Sequence, residues 1–306
     1  MLDRFKGKCA LITGGAGSIG ASLAKACLDQ GIRVAIADIN QPELDRIQRE
    51  LGHGPDSLMS IILDVRKPED WERVANEVEQ RLGPVRLLFN NAGVTSTQAV
   101  MRGGGLENLT FEEWQWTLDV NLNGTFLGLK TFVPRFKATD EPTYIINTAS
   151  MAACAPLLAD GGHPLSYAAS KAGVVHMTAQ LRTDFNEKGI KSIGVSILYP
   201  GQTKSDMFVI SYQLSPGSSM DDFDVTQGRR TFYQQGAEAE LIGPYVLERM
   251  EKGDFHIFTH ADWRDNVVAY GDELRHSFVR SADPSFSDPA AKIVDLTWAK
   301  SWPDQK

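Results

Sequence analysis

The stretch "CALITGGAGSIGASLA", residues 9–24, decides how the rest of the chain is read. It opens on a short apolar run, Cys9 to Thr13, and then turns on glycines at positions 14, 15, 17 and 20. Counted from Gly15 the spacing is G-x-G-x-x-G, the dinucleotide fingerprint. Counted from Thr13 it is T-G-x-x-G-x-x-G. A third spelling, T-G-x-x-x-G-x-G, is missed only because Ser18 stands where a glycine is needed. All three predict a buried strand, a tight turn and a helix starting near Ser18. The first N–H groups of such a helix have no intrahelical acceptor, and with the helix dipole they suit a pyrophosphate. Candidate cofactor contacts in the turn are Gly14, Gly17, Ser18, Ile19 and Gly20.

Working outward, the same alternation continues. Apolar runs at 8–13, 33–38, 57–65, 85–93, 142–150, 191–201 and 254–260 read as strands. Amphipathic runs at 18–31, 42–51, 68–82, 111–137, 165–187 and 237–252 read as helices. Pro42 and Pro68 suit helix starts, and Gly31 and Gly83 suit stops. Strands joined by helical crossovers specify a parallel sheet covered on both faces. The expected fold class is α/β, a Rossmann-type doubly wound parallel sheet of about seven strands. One domain is expected over residues 1–280. Within it, the aperiodic segment 203–236 is expected to be a lid over the substrate. Residues 281–306 read as a C-terminal tail with one short helix, on which Trp298 and Trp302 share a face.

The net charge of −8 disfavours nucleic acid and anionic membrane surfaces as partners, since both need a basic face. No apolar run approaches the ~20 residues of a membrane helix, and the opening residues carry no signal-peptide pattern. The three cysteines, Cys9, Cys27 and Cys154, are widely spaced without C-x-x-C. That fits a reducing cytoplasm, with neither a disulfide framework nor a metal site. Cys154 reads as a small buried hydrophobe, and His53, His256 and His260 make no metal-like cluster in the sequence.

Two further patterns carry chemistry. Asp38 closes the second strand, 18 residues after Gly20. A carboxylate there accepts the ribose hydroxyls and repels a 2′-phosphate. Its neighbours Ile39 and Asn40 bring no cation, so NAD(H) is expected over NADP(H). The competing reading of Asp38 is a helix cap ahead of Pro42. In "SYAASKAG", residues 166–173, Tyr167 and Lys171 lie four apart and share a helix face. An ammonium ~4 Å from the phenol at an effective dielectric of ~20 favours phenolate by about 4 kcal/mol, enough to draw the tyrosine towards neutral pH. Ser150 ends the fifth strand, at the sheet edge where open α/β folds hold ligands.

Taken in order, "TGGAGSIG", "LDV" (63–65), "NNAG" (90–93), "VNLNG" (120–124), "INTAS" with "YAASK", and "YPGQTKSDM" (199–207) resemble the successive motifs of the short-chain dehydrogenase/reductase family. The likeness is to its branch of short, single-domain chains and runs from about residue 5 to 205. The resemblance implies Tyr167 as acid/base on the substrate oxygen, and Lys171 as the group that lowers its pKa and binds the nicotinamide ribose. It implies Ser150 as a donor to the substrate and Asn121 as part of a proton relay. It adds Asp64 and Val65 at the adenine, Asn91, Ala92 and Gly93 along the cofactor, and Pro200, Thr203 and Ser205 beyond the sixth strand. Cofactor contacts by Tyr167, Lys171, Asp38 and Ile39 complete the set.

Some features depart from the family pattern. The segment "CAPLLADGGHPLS" (154–166) is longer than usual and is expected to bulge beside the site, with His163 as a solvated or substrate-contacting residue. Residues 94–110 also read as lengthened, and Thr203 replaces a usual aliphatic residue. Phe208, Tyr212, Phe223, Phe232 and Tyr233 either line an apolar pocket or anchor the lid. Trp114 and Trp116 read as packing residues.

The expected function is NAD(H)-dependent interconversion of a secondary alcohol and a ketone, the substrate apolar or aromatic and, from the lid and pocket loops, bulky. The turn at 203–205 and the long C-terminal segment loosely resemble dehydrogenases acting on benzylic alcohols of lignin-type aryl ethers. Two alternatives stand beside it. One is a non-catalytic NAD(H)-binding scaffold or sensor, which needs only the glycine turn and Asp38. The other is the epimerase/dehydratase branch, to which T-G-x-x-G-x-x-G belongs. The resemblance also implies a homo-oligomer, dimer or tetramer, formed through the helices at 111–137 and 165–187.

Overall fold

All seven expected strands form. They are β1 (Cys9–Thr13), β2 (Arg33–Asp38), β3 (Leu58–Ile62), β4 (Val85–Asn90), β5 (Thr143–Thr148), β6 (Ile193–Tyr199) and β7 (His256–Phe258). The structure is a computed structural model in which residues 2–156, 165–219 and 236–281 are described. The strands pair in the order β3-β2-β1-β4-β5-β6-β7, and every pairing is parallel. This is the doubly wound Rossmann-type sheet. The chain leaves β1 towards β3, returns to β4 and proceeds to the other edge, which opens a crevice at the carboxyl ends of β1 and β4. Strands β1 and β5 are buried at every position, as strands covered on both faces must be.

The helices are α1 (Ser18–Asp29), α2 (Gln41–Leu51), α3 (Pro68–Leu82), α4 (Thr97–Met101), α5 (Phe111–Leu118), α6 (Gly124–Lys137), α7 (Leu165–Glu187), α8 (Met207–Leu214), α9 (Ile242–Lys252) and α10 (Arg264–Ser281). Their ends follow local chemistry. The Asn40 side chain caps α2 by accepting from Glu43 N, and Gly52 closes the helix with φ 66°. Thr110 and Glu113 form a reciprocal capping box on α5. Beneath the sheet, Leu23 and Cys27 of α1 and Val246 and Met250 of α9 pack with Ile12, Ile36 and Phe89 in one core. Helices α1 and α9 meet at Gly243. Its N–H donates to Ser22 Oγ at 2.9 Å, and a Cβ there would fall 2.1 Å from Ser22 O.

Three differences from the sequence reading stand out. The helix expected over 111–137 is two helices joined by a π-helical turn at Asp119–Asn123. Within the aperiodic 203–236 lies α8, whose Val209 and Tyr212 are buried with Phe208 packed on them. Helices α4 and α10 were also not expected. The described chain divides into two compact units, one reaching Arg264 and the other beginning at Asp265 with the body of α10. His163, Phe223, Phe232, Tyr233, Trp298 and Trp302 lie outside the described residues.

Candidate active site

In a parallel sheet the carboxyl ends of all strands share one edge, and the expected site residues lie at that edge or reach it. The β1–α1 turn is built from backbone packed on backbone. Gly14 has φ 63°, and a Cβ on it would stand 2.8 Å from Ala92 Cα. A Cβ on Gly20 would stand 2.1 Å from Gly14 O, so the start of α1 lies directly on the turn. Gly15 N donates to Ala37 O at 3.0 Å, fastening the turn to β2. Gly17 is the N-cap of α1, extended and without a side-chain cap. Ser18 and Ile19 begin the helix, both half-buried.

Asp38 ends β2 with its carboxylate turned to this loop. Oδ2 accepts from Ala16 N at 3.2 Å and Oδ1 from Asn40 N at 3.1 Å. Burial raises its pKa, opposed by those backbone donors. The cap of α2 is Asn40, so the helix-cap reading of Asp38 fails. A carboxylate offers about four acceptor sites, and the backbone groups of Ala16, Ile39 and Asn40 take up three here. Ile39 beside it is exposed. Beyond β3, Asp64 receives a forked pair of bonds from Arg66, 2.8 and 2.7 Å, which holds its carboxyl below the usual range. Val65 is buried against Gly124, where a Cβ would lie 2.8 Å from Val65 Cγ2.

Beyond β4 the chain's own polar groups bind three strand ends together. Thr13 Oγ1 accepts from the N–H groups of Asn91 and Ala92, both at 3.0 Å. The Asn91 amide donates to Thr13 O at 3.1 Å and accepts from Thr148 Oγ1 at 3.2 Å. The Asn91 side chain is thus a clamp between β1, β4 and β5. Gly93 leaves room behind it: a Cβ there would stand 3.1 Å from Lys171 Nζ and 3.3 Å from Asn121 Oδ1.

Asn121, Ser150, Tyr167 and Lys171 come together in this space. Asn121 lies fully buried in the π-helical turn, where its Oδ1 accepts from Val94 N at 2.8 Å and its Nδ2 donates to Val94 O at 2.9 Å. A π-bulge in an otherwise α-helical run often marks a functional position. The Ser150 hydroxyl hydrogen-bonds the Tyr167 phenol. It also accepts from Ala152 N at 3.2 Å. Lys171 Nζ donates to Thr148 O at 2.9 Å and stands 5.8 Å from the centre of the Tyr167 ring.

The electrostatics correct the sequence reading. Burial raises the Tyr167 pKa, only partly opposed by the Ser150 bond, and pushes Lys171 down to about 8. Residue spacing places the ammonium near the phenol but carries no desolvation cost, and in the folded chain that cost dominates both groups. With its pKa raised by burial, Tyr167 stands as a phenol at neutral pH. Cys154 has its thiol pushed up to about 11 by burial, which leaves it unreactive. His256 is lowered to about 4 by burial and bonds Tyr199 Oη at 2.9 Å. Among the described residues no group of histidine, cysteine and carboxylate side chains is arranged to hold a metal ion.

The turn after β6 is fastened on two sides. Pro200 O accepts from Met151 N at 3.0 Å, next to Ser150. Thr203 bridges to Ala237, and its Oγ1 donates to Gly201 O at 3.1 Å. Ser205 is half-buried just before α8. Residues 8–213 match the family model described as short chain dehydrogenase. The chain belongs to the short-chain dehydrogenase family. As a member of that family it is an oxidoreductase with a Rossmann fold.

Individual family members give scale. A "C alpha-dehydrogenase" of Sphingobium sp. (strain NBRC 103272 / SYK-6) is 28% identical over 304 residues, 97% of this chain and 94% of that one. A "3-alpha-(or 20-beta)-hydroxysteroid dehydrogenase" of Mycobacterium tuberculosis is 32% identical over 275 residues, 86% of this chain and 99% of the other. A short-chain dehydrogenase/reductase from Burkholderia phymatum, solved in complex with NAD, superposes with a TM-score of 0.76 at 26% identity, covering 94% of this chain and 99% of that one.

Sequence reasoning missed several polar residues of this short-chain dehydrogenase site. Thr13 and Thr148 organise the strand ends, Thr148 through both its hydroxyl and its carbonyl. Ser96, Thr117 and Ser166 are wholly buried beside Tyr167. The available signals were hydroxyl residues ending otherwise apolar strands and a serine directly before the tyrosine.

Proposed function

We propose that the protein interconverts a secondary alcohol and a ketone, using NAD(H) and taking an apolar or aromatic substrate. The observation that carries this reading is the buried Ser150–Tyr167 bond backed by Lys171 at the end of β5. The residues present fit a dinucleotide. Helix α1 begins on a glycine turn with no side-chain cap, and Asp38 stands at the neighbouring strand end with acceptor capacity left for a ribose hydroxyl. Gly14, Gly17, Ser18, Ile19 and Gly20 would meet the phosphates. Asp38, Ile39, Asp64 and Val65 would meet the adenosine. Asn91, Ala92, Gly93, Pro200, Thr203 and Ser205 would flank the nicotinamide half. When bound, the nicotinamide supplies or takes up the hydride.

The chain's own groups handle the proton. With Tyr167 neutral, its Oη–H protonates the oxygen of a ketone as that oxygen gains charge, and Ser150 Oγ supplies a second hydrogen bond. In the oxidation direction Tyr167 Oη takes the proton back. Lys171 Nζ, held at Thr148 O, places positive charge beside the phenolate so formed, and Asn121 fixes the loop after β4 against the same pocket. We further assign 203–236 as the lid; α8 lies within its described part. The exposed Phe111 and Phe126 on α5 and α6 support a homo-oligomer formed by those helices. The free Cys9, Cys27 and Cys154 support a reducing, cytoplasmic setting, and no described helix is long and apolar enough to cross a membrane.

The test is turnover of a panel of alcohols and ketones with NAD(H) and NADP(H). Activity is expected with NAD(H), exceeding NADP(H) at least about tenfold because Asp38 repels a 2′-phosphate. Equal or better use of NADP(H) contradicts the cofactor assignment. Tight NADH binding with no turnover across the panel favours a non-catalytic scaffold.

A further inference from the structure

Residues 94–98 bond in turn to the catalytic centre and to α8. Val94 is held through its N–H and carbonyl by Asn121. Thr95 N donates to Ser211 Oγ of α8 at 3.1 Å. Ser96 Oγ lies 2.7 Å from Ser166 Oγ and 2.8 Å from Thr117 Oγ1, and Ser166 immediately precedes Tyr167. Thr97 Oγ1 donates to Phe208 O of α8 at 3.0 Å. The Gln98 amide donates to Ser215 Oγ at 2.6 Å and Pro216 O at 2.9 Å, just beyond α8.

The bonds of Thr95 and Ser96 are buried, that of Thr97 is partly so, and that of Gln98 to Pro216 lies at the surface. Ser96, Thr97, Thr117 and Ser166 are 0% exposed and Ser211 is 1% exposed. A buried hydroxyl without a partner is costly, so such a network holds one discrete arrangement and not a continuum of them. Helix α4 is five residues long and cannot fix this strap alone. Its position is set by what it bonds, and those partners are the catalytic helix on one side and α8 on the other.

We infer that residues 94–98 couple the seating of α8 to the placement of Tyr167, with Ser96 as the positioning residue. The inference rests on the proposed roles of Tyr167 and the lid, and gives them a shared specificity device. A substrate that seats α8 well also sets the acid, so discrimination among substrates falls on kcat as well as KM.

The experiment combines steady-state kinetics and amide hydrogen exchange on the full chain with Ser96→Ala, Ser211→Ala and the double variant. Each single change is expected to lower kcat about tenfold, the worth of one buried hydrogen bond. The double variant is expected to lose little more than that, against about a hundredfold for independent sites. Ser96→Ala should speed exchange in α8, although the Ser96 hydroxyl bonds Glu113, Thr117 and Ser166 and not that helix, and Ser211→Ala should speed it over residues 165–171. Thr97→Val repeats the cut on the α8 side should Ser211→Ala not fold. Exchange confined to the element that was cut, with losses that multiply, overturns the coupling. Should Tyr167→Phe prove fully active, the proposed function falls, while the exchange data still decide the coupling.

Discussion

The two ends of the site are held together by different means. On the dinucleotide side, residues 9–38, backbone presses on backbone: Gly14 on Ala92, Gly20 on Gly14, Gly15 N on Ala37 O. On the substrate side, residues 94–98 and the elements they touch, hydroxyl and amide side chains meet one another inside the protein. At Gly14, Gly15 and Gly20 the first design leaves no room for a side chain. The second tolerates modest shape change but fails when one partner is removed, because the other is left buried and unpaired.

That contrast breaks first at the glycines. Gly20→Ala drives a Cβ to 2.1 Å from a backbone oxygen, and a loss of about 3 kcal/mol in urea unfolding is expected. Gly17→Ala meets only Gly14 O at 3.3 Å in an ordinary conformation, and under about 1 kcal/mol is expected. Equal losses at the two positions would mean that backbone contact does not organise the turn.

Lys171 sharpens the other side. Its folded pKa of about 8 lies below the ordinary 10.5, so between those values the unfolded chain binds the proton more tightly and wild-type stability rises with pH. Below about pH 8 the full penalty is present, about 3 kcal/mol from the shift. Losing the bond to Thr148 O costs about 1. Lys171→Met is therefore expected to be inactive yet more stable than wild type by about 2 kcal/mol at pH 7, with the advantage fading towards pH 10. A variant less stable than wild type at pH 7 would contradict a desolvated ammonium. The smallest effect is expected at Ser18, where bare backbone is usual. Ser18→Gly is expected to change NAD affinity by less than about fivefold, tighter if the side chain crowds the cofactor and weaker if its hydroxyl bonds a phosphate.

How much was legible follows the same division. Strands buried on both faces leave unbroken apolar runs, so β1 to β7 were readable, and glycines forced by close contact marked the turn. Asp38 was ambiguous in sequence because a cap and a ribose ligand use the same carboxylate; the bond from Glu43 N to Asn40 resolves the capping. The break between α5 and α6 has no proline and no glycine before Gly124, and a π-helical turn leaves no residue signature. The burial of Ser96 and Ser166 was not readable, since it depends on distant parts of the chain. The Tyr167–Lys171 spacing was readable, but the burial that reverses the expected pKa shift was not.

The central claim is that Tyr167 carries the proton for hydride transfer at this sheet edge. The direct measurement is NADH-dependent reduction of a ketone by wild type and by Tyr167→Phe, which keeps the ring and removes the acid. A kcat/KM lowered about a thousandfold, with NADH affinity within about threefold of wild type, is predicted. Undiminished turnover by Tyr167→Phe would contradict the account.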